Sequence, residues 1–218
     1  MLQPIVFPQD VDARPIPHEL RQLIADVRSR VEAFQDCWDR TQIEQFVAAD
    51  YELVWQCLDW IVETQPRIGD RFLEWGCGFA AMTVLAASLG LDAIGIEAEL
   101  ELHAQGTQTL RDWLPNLTVC RGAAAGKSVR AEIACGNFLP PGTEAMADDP
   151  TLPSLGHGGD NAYERLQLEL DDFAIVYSYP WPGEEGFHQD VFHKCAEPGA
   201  ILIQFLGPYD VAAWRRSR

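Results

Sequence analysis

The sequence is poor in basic residues. Its 218 residues include 16 Lys and Arg against 33 Asp and Glu, which gives a formal net charge of −17 at pH 7. A groove that follows nucleic-acid phosphates needs clustered Lys and Arg side chains. The composition therefore disfavours a nucleic-acid partner and leaves small molecules and basic or neutral proteins as the expected partners.

The sequence also lacks long apolar runs and paired cysteines. No run approaches the roughly 20 apolar residues that a membrane-spanning helix needs, and the first residues lack the basic and apolar regions of a signal peptide. The six cysteines are isolated, with no CxxC pair, a pattern typical of reduced thiols rather than of a metal site. We expect a cytoplasmic protein that is not a membrane protein and binds no metal.

Strand and helix patterns alternate along most of the chain. Short apolar runs predict strands at 71–75, 92–97, 131–136, 173–180 and 200–206, and periodic segments between several of them predict helices. Apolar strands that alternate with helices form parallel sheets covered on both faces. We therefore predict a doubly wound α/β fold with a mostly parallel, five-stranded sheet.

Two other regions surround this pattern. Residues 1–66 contain a proline-bearing arm followed by two amphipathic helices, so we predict an N-terminal arm and helical cap. Residues 67–218 then form the Rossmann-like domain. Within that domain, 139–160 combine four prolines and four glycines without periodicity, which predicts a long loop insertion.

One junction between a strand and a helix carries two glycines. The stretch "FLEWGCGFAAMTVLAASLG" runs from Phe72 to Gly90 and places Gly76 and Gly78 where the strand ends. Glycine allows a sharp turn and the close approach of a ligand. The helix that follows offers unpaired N–H groups, and parallel sheets bind ligands at the carboxyl ends of their strands. The junction therefore predicts a nucleotide-type cofactor site.

The glycines alone leave the cofactor open. "GCGFAA" satisfies the dinucleotide pattern G-x-G-x-x-G/A, and Glu97 lies 19 residues after Gly78, where an acid would bind a ribose. A nucleoside triphosphate is a weaker alternative, because "GAAAGKS" at 122–128 is one residue shorter than a phosphate loop.

Five places together resemble the class I S-adenosylmethionine-dependent methyltransferases. "LEWGCGFA" resembles the family's first motif through Glu74, Gly76 and Gly78, with Ala80 in place of the third glycine. The other four follow in the family's order, namely "GIEAE" with Glu97, "GNF" at 136–138, "YSYPWP" at 177–182 and the Pro-Gly turn of "AEPGAILIQF". The order of all five is more specific than the glycines alone.

This resemblance implies a cofactor and a set of residues that bind it. The cofactor is S-adenosyl-L-methionine, with Glu74 at the cationic end of its methionine part and Glu97 on its ribose. Asn137 stands where the family often has an acid beside adenine, and Phe138 follows it. The implied cofactor-binding set is Glu74, Gly76, Gly78, Glu97, Asn137, Phe138 and Ser178.

"SYPW" further resembles the (Asp/Asn/Ser)-Pro-Pro-(Tyr/Phe/Trp) motif of methyltransferases that modify nitrogen, although Tyr179 replaces the first proline. The resemblance implies a nitrogen acceptor on a small molecule or a protein, with Tyr179 and Trp181 as the catalytic residues of the acceptor pocket.

The resemblance also raises a question about the C-terminus. Only twelve residues follow Leu206, so we expect no room for the family's last antiparallel strand pair. A truncated sheet would expose an edge through which a homodimer could form. Two other functions stay open, a catalytically inactive methyltransferase-like binding protein and an NAD-type oxidoreductase.

Overall fold

The computed structural model describes residues 1–36, 47–122, 125–147 and 159–217. Within these ranges, strands and helices alternate through most of the chain. The elements are β1 (Leu2–Ile5), α1 (His18–Gln35), α2 (Tyr51–Thr64), β2 (Arg71–Trp75), α3 (Ala81–Ser88), β3 (Asp92–Glu97), α4 (Leu100–Trp113), β4 (Arg130–Cys135), α5 (Ala162–Leu166), β5 (Ile175–Ser178), α6 (Glu185–Cys195), β6 (Ile201–Gly207) and β7 (Asp210–Arg216).

All seven of these strands belong to one sheet, in the order β1-β7-β6-β5-β2-β3-β4. The pairs β2–β3, β2–β5, β3–β4 and β5–β6 are parallel, whereas β7 is antiparallel to both β6 and β1. The prediction of a doubly wound, mostly parallel α/β sheet is confirmed.

The predicted number of five strands is wrong. The residues after β6 suffice for a tight turn at Pro208 and Tyr209 and for one seven-residue strand, β7. The outer partner of β7 comes from the other end of the chain, where Leu2 pairs with Arg216 and Ile5 pairs with Ala213. Because β7 and β1 cover the edge of β6, the expected dimer contact at that edge loses its basis.

The two faces of the sheet carry separate apolar clusters. Phe72 on β2 packs with α1, α2 and α3, whereas Leu73 and Trp75 point to the opposite face and pack with α5 and α6. This alternation follows from the two-residue period of a strand. Helices α1 and α2 share the cluster of α3, and the division of the chain at residues 66 and 67 stays a prediction.

Helix α2 begins at Tyr51, where the side chain of Asp50 accepts a hydrogen bond from Leu53 N at 3.3 Å. One sequence prediction, the loop 139–160, falls partly outside the described residues. In the predicted loop 139–160, Leu139 and Thr143 are buried, and residues 148–158 lie outside the described ranges. Across those ranges, every helix is too short or too polar to span a membrane.

Candidate functional site

The glycine turn leaves β2 at its carboxyl end and leads into α3. Gly76, Gly78 and Ala80 have φ values of +68°, +51° and +56°. These angles lie in the left-handed region, which glycine adopts without the penalty that a Cβ imposes. A Cβ built on Gly76 would meet no atom within 4 Å, so the space beside this glycine is open.

Two further glycines let neighbouring elements approach the turn. A Cβ built on Gly106, in α4, would lie 2.9 Å from the carbonyl oxygen of Gly78. One built on Gly95, in β3, would lie 2.8 Å from Cys77 Sγ. The sequence analysis missed both residues, although an isolated glycine inside a helix or strand is a sign of close backbone approach.

Glu97 lies directly against this turn. It ends β3, its side chain is buried, and its Oε2 accepts a hydrogen bond from Gly78 N at 2.7 Å. Its Oε1 accepts a second from Glu99 N at 2.9 Å. Burial raises the pKa of the Glu97 carboxyl, and the two backbone N–H groups oppose that rise. The structure thus brings together Gly78 and Glu97, which the sequence predicts as parts of one site.

Glu74 is held differently. Its Oε2 accepts hydrogen bonds from Thr83 N at 2.7 Å and from Thr83 Oγ1 at 2.5 Å, so the carboxyl is anchored to the first turn of α3. Burial raises its pKa to about 8. In the sheet, Glu74 is opposite Tyr177 of β5, whose buried hydroxyl has no hydrogen-bond partner among the described residues. Thr83 was not among the predicted site residues.

Asn137 and Phe138 follow β4 at the same edge of the sheet. Gly136 N donates to the carbonyl oxygen of Glu97 at 3.0 Å, which ties this segment to the end of β3. Asn137 Oδ1 accepts from Leu139 N at 2.8 Å. Phe138 stacks on Trp75 at a ring-centroid distance of 5.2 Å. Asn137 and Phe138 are therefore near β3 and β2 respectively, with Phe138 on the face of α6.

The segment after β5 also lies at this edge, because Ser178 pairs with Trp75 in the sheet register. Ser178 is fully buried, and its hydroxyl accepts a hydrogen bond from Gln204 Nε2 at 3.4 Å. Tyr179 packs edge-on against Phe205 at a centroid distance of 4.8 Å. Trp181 is half-buried, and its carbonyl accepts from Glu184 N just before α6.

A cavity of about 510 Å³ opens beside Tyr179, and we call it the Tyr179 cavity. It is lined by helix α1, the segment before α2, the residue after β5, and the end of β6 with the turn that follows it. Arg28, Glu32, Asp50, Tyr179, Phe205 and Tyr209 are among its lining residues. The cavity lies close to the glycine turn, because Ser178 pairs with Trp75 in the sheet, and Tyr179 and Gly76 follow these two residues.

The segment resembling a phosphate loop lies at the other end of α3. Cys120 N donates to the carbonyl oxygen of Ser88, the last residue of α3, and Ser128 pairs with Thr118 close to the start of β4. The glycine turn, in contrast, precedes the first residue of α3. Residues 122 and 125–128 therefore do not join the candidate site, and 123–124 lie outside the described residues.

No protein-family profile and no curated protein matches the chain. Among solved structures, a structural-genomics target from Corynebacterium glutamicum has a TM-score of 0.52 at 10% identity, covering 96% of this chain and 94% of its own. An RNA methyltransferase from Salinibacter ruber, in complex with S-adenosyl-L-homocysteine, has a TM-score of 0.43 at 14% identity, covering 68% and 82%. An O-methyltransferase from Bacillus cereus, also with this product, has a TM-score of 0.47 at 14% identity, covering 87% and 66%.

These similarities concern the fold. The order of the parallel strands and the glycine turn at the end of β2 agree with the Rossmann-like architecture that the sequence analysis predicted, whereas the antiparallel β7 beside β6 was not expected. The chain has a Rossmann-like fold, with a mostly parallel sheet and a glycine turn at the carboxyl end of β2.

Proposed function

We propose that the protein is an S-adenosylmethionine-dependent methyltransferase. The observation that carries this proposal is the 2.7 Å hydrogen bond from Gly78 N to Glu97 Oε2, which joins the family's first two motifs at the carboxyl edge of the sheet. The resemblance at five ordered places supports the choice of cofactor over a dinucleotide.

The residues present fit such a cofactor. The open space at Gly76 accommodates a ligand against the backbone of the turn. Each carboxylate oxygen of Glu97 receives one backbone hydrogen bond, and each has a second lone pair with which to accept from a ribose hydroxyl. Asn137 and Phe138 would flank the adenine. S-adenosylmethionine would supply an electrophilic methyl group for transfer to a nucleophile.

The carboxylate of Glu74, at the end of β2 next to the turn, would attract the cationic end of the methionine part of the cofactor. Its anchoring by Thr83 fixes the carboxyl in place. A cation bound near Glu74 would favour the ionised carboxylate and so lower its raised pKa. The carboxylate of Glu74 would thus offset part of the cofactor's positive charge, which a neutral ligand does not have.

Calorimetric titration tests the proposal. The protein should bind S-adenosylmethionine and its product S-adenosylhomocysteine at one site per chain, and it should not bind NAD. Absence of binding to both sulfur compounds, together with binding of NAD, would overturn the proposal in favour of an oxidoreductase. Binding without methyl transfer to any acceptor tested would favour the inactive binding protein.

A nitrogen acceptor is a finer proposal. Pro180 and Pro182 have no backbone N–H, so the segment that carries Tyr179 and Trp181 presents carbonyl oxygens and aromatic rings. Such a surface suits a group that donates hydrogen bonds. The hydroxyl of Ser178 gives no support to it, because that hydroxyl is buried against Gln204.

A further inference from the structure

The Tyr179 cavity has the size and position of a small-molecule site. Its volume of about 510 Å³ falls within the range of pockets that hold small ligands. Buried Val31 and Ala49 contribute apolar wall, and Tyr179 follows Ser178, which pairs with Trp75 directly before Gly76 of the turn. A molecule bound here would therefore lie next to the glycine turn.

The charges on the cavity wall favour a cation. The guanidinium of Arg28 lies 3.4 Å from Asp50 and 3.9 Å from Glu52, so neighbouring carboxylates offset its charge. Glu32 also lines the cavity and, within the part of the chain that the structure describes, makes no ion pair. Among the described residues that line the cavity, one Arg and two acids give the wall an excess of negative charge.

Three aromatic rings complete the wall. Tyr179 and Phe205 meet edge to face, and Tyr209 lies at the turn between β6 and β7. Tyr209 is 91% exposed and has a φ of +65°, a backbone conformation in which glycine or asparagine would be ordinary. The ring of Tyr209 is exposed to solvent at the rim of the cavity, and its positive φ belongs to the tight turn between β6 and β7. Aromatic faces attract cations.

We infer that the Tyr179 cavity binds the methyl acceptor, and that this acceptor is a small amine with an apolar or aromatic body, bound as its ammonium ion. The inference rests on the proposed function. Before reaction, the ammonium would give one proton to a carboxylate of the cavity or to water. The amine's lone pair would then form the carbon–nitrogen bond while the carbon–sulfur bond of the donor breaks, and that electron pair would remain on sulfur.

Three probes of similar shape and different charge test this inference, namely 2-phenylethylamine, 2-phenylethanol and 3-phenylpropionate. Each would be titrated calorimetrically into the protein, with and without S-adenosylhomocysteine. We expect the amine to bind at least about tenfold more tightly than the alcohol or the carboxylate, because a tenfold ratio needs only 1.4 kcal/mol of charge recognition. An equal or tighter affinity for the alcohol or the carboxylate, or no binding of any probe, would overturn the inference.

Substitutions of residues that line the cavity test whether the amine binds there. Glu32→Gln should weaken the amine about tenfold and leave the alcohol unchanged, since it removes charge and little volume. Glu19→Gln, on the same helix outside the cavity lining, is the matched control and should change neither. Tyr209→Gly removes the exposed ring and relieves its backbone, so it should fold and still weaken the amine. Unchanged amine affinity in both cavity variants would contradict the site.

The same titrations separate the two proposals. If S-adenosylhomocysteine does not bind, the proposed function fails whatever the amine does. If it binds normally while the amine shows no preference over the alcohol, the proposed function stands and the inference about the acceptor fails.

Discussion

The glycine turn and the Tyr179 cavity use carboxylates in opposite ways. At the turn, Glu74 and Glu97 are buried, and the hydrogen bonds that they accept from backbone N–H groups shape the loop and the start of α3. At the cavity, Glu32 is exposed and is not part of an ion pair within the described ranges. Buried Glu74 and Glu97 thus shape the turn that would hold the cofactor, whereas Glu32 presents an exposed carboxylate at the cavity. Substitutions at the turn should therefore reduce donor binding, whereas substitutions at the cavity should reduce acceptor binding.

The largest expected effect is that of Gly78→Val on donor binding. Valine at a φ of +51° is strained, and its branched side chain would enter the space between the turn and the cofactor. We expect the affinity for S-adenosylhomocysteine to fall by roughly a hundredfold or more, which corresponds to about 3 kcal/mol. Calorimetry with the purified variant measures it.

The control variant Gly126→Val distinguishes the effect of backbone strain from the effect of contact with the cofactor. Gly126 has a φ of +80° and no atom within 4 Å of a built Cβ, and it follows the loop at the other end of α3. This variant should lose stability through the same backbone strain and keep its donor affinity. Equal losses of affinity in both variants would mean that strain alone, and not contact with the cofactor, explains the result at Gly78.

The next effect is that of Glu97→Ala. Removing a charged acceptor from a ribose hydroxyl costs about 1.5 to 3 kcal/mol, or roughly 10- to 100-fold in affinity. Glu99→Ala is the control, because its exposed side chain leaves the backbone N–H that Glu97 uses intact. Donor affinity that is unchanged in Glu97→Ala would show that other groups hold the ribose.

Trp181→Ala should separate catalysis from donor binding. Trp181 is half-buried beyond β5, two residues after Tyr179, which lines the cavity. We expect methyl transfer to an amine acceptor to fall about tenfold, the loss of roughly 1.4 kcal/mol of positioning, while donor affinity stays within about twofold. Trp181→Phe should recover most of the turnover. Lost donor binding with unchanged turnover per bound donor would place Trp181 at the cofactor instead.

The last prediction concerns the pH dependence of folding stability at Glu74 and not binding or turnover. Its pKa is about 8 in the folded protein and about 4.5 unfolded, so between these values the folded state binds more protons. The contribution is fully present below pH 4.5 and is lost as pH rises through 8, at no more than about 1.4 kcal/mol per unit. In denaturant unfolding, the free energy of unfolding of Glu74→Gln should fall less steeply with rising pH than that of the parent protein. An unchanged slope would mean that the carboxyl is charged throughout this range.

The local parts of this architecture could be predicted from sequence, and the non-local parts could not. The turn at Gly76 and Gly78 and its acid partner Glu97 lie in adjoining strand–helix units, so short patterns and their spacing predict them. The pairing of Leu2 with Arg216 joins the two ends of the chain. The prolines near Leu2 and the short segment after Leu206 gave no local sign of that pairing, which is why two strands were missed.

The contacts of individual site residues could likewise not be predicted from the sequence. Glu74 matches a motif, but its anchoring by Thr83 depends on how the first turn of α3 folds back on β2. The isolated glycine at 106 was a sign of close backbone approach, but its partner could be identified only from packing, because α4 meets the turn across a sequence separation of 28 residues, between Gly78 and Gly106. Ser178 could not be known to face Gln204 before the register of β5 and β6 was fixed.

The most direct test of the central claim is a crystal structure with S-adenosylhomocysteine bound. The account predicts density for the ligand along the turn at Gly76 and Gly78, with both ribose hydroxyls within hydrogen-bonding distance of the Glu97 carboxylate and the sulfur facing the Tyr179 cavity. Density for the ligand away from this turn, or a ribose that makes no contact with Glu97, would contradict it.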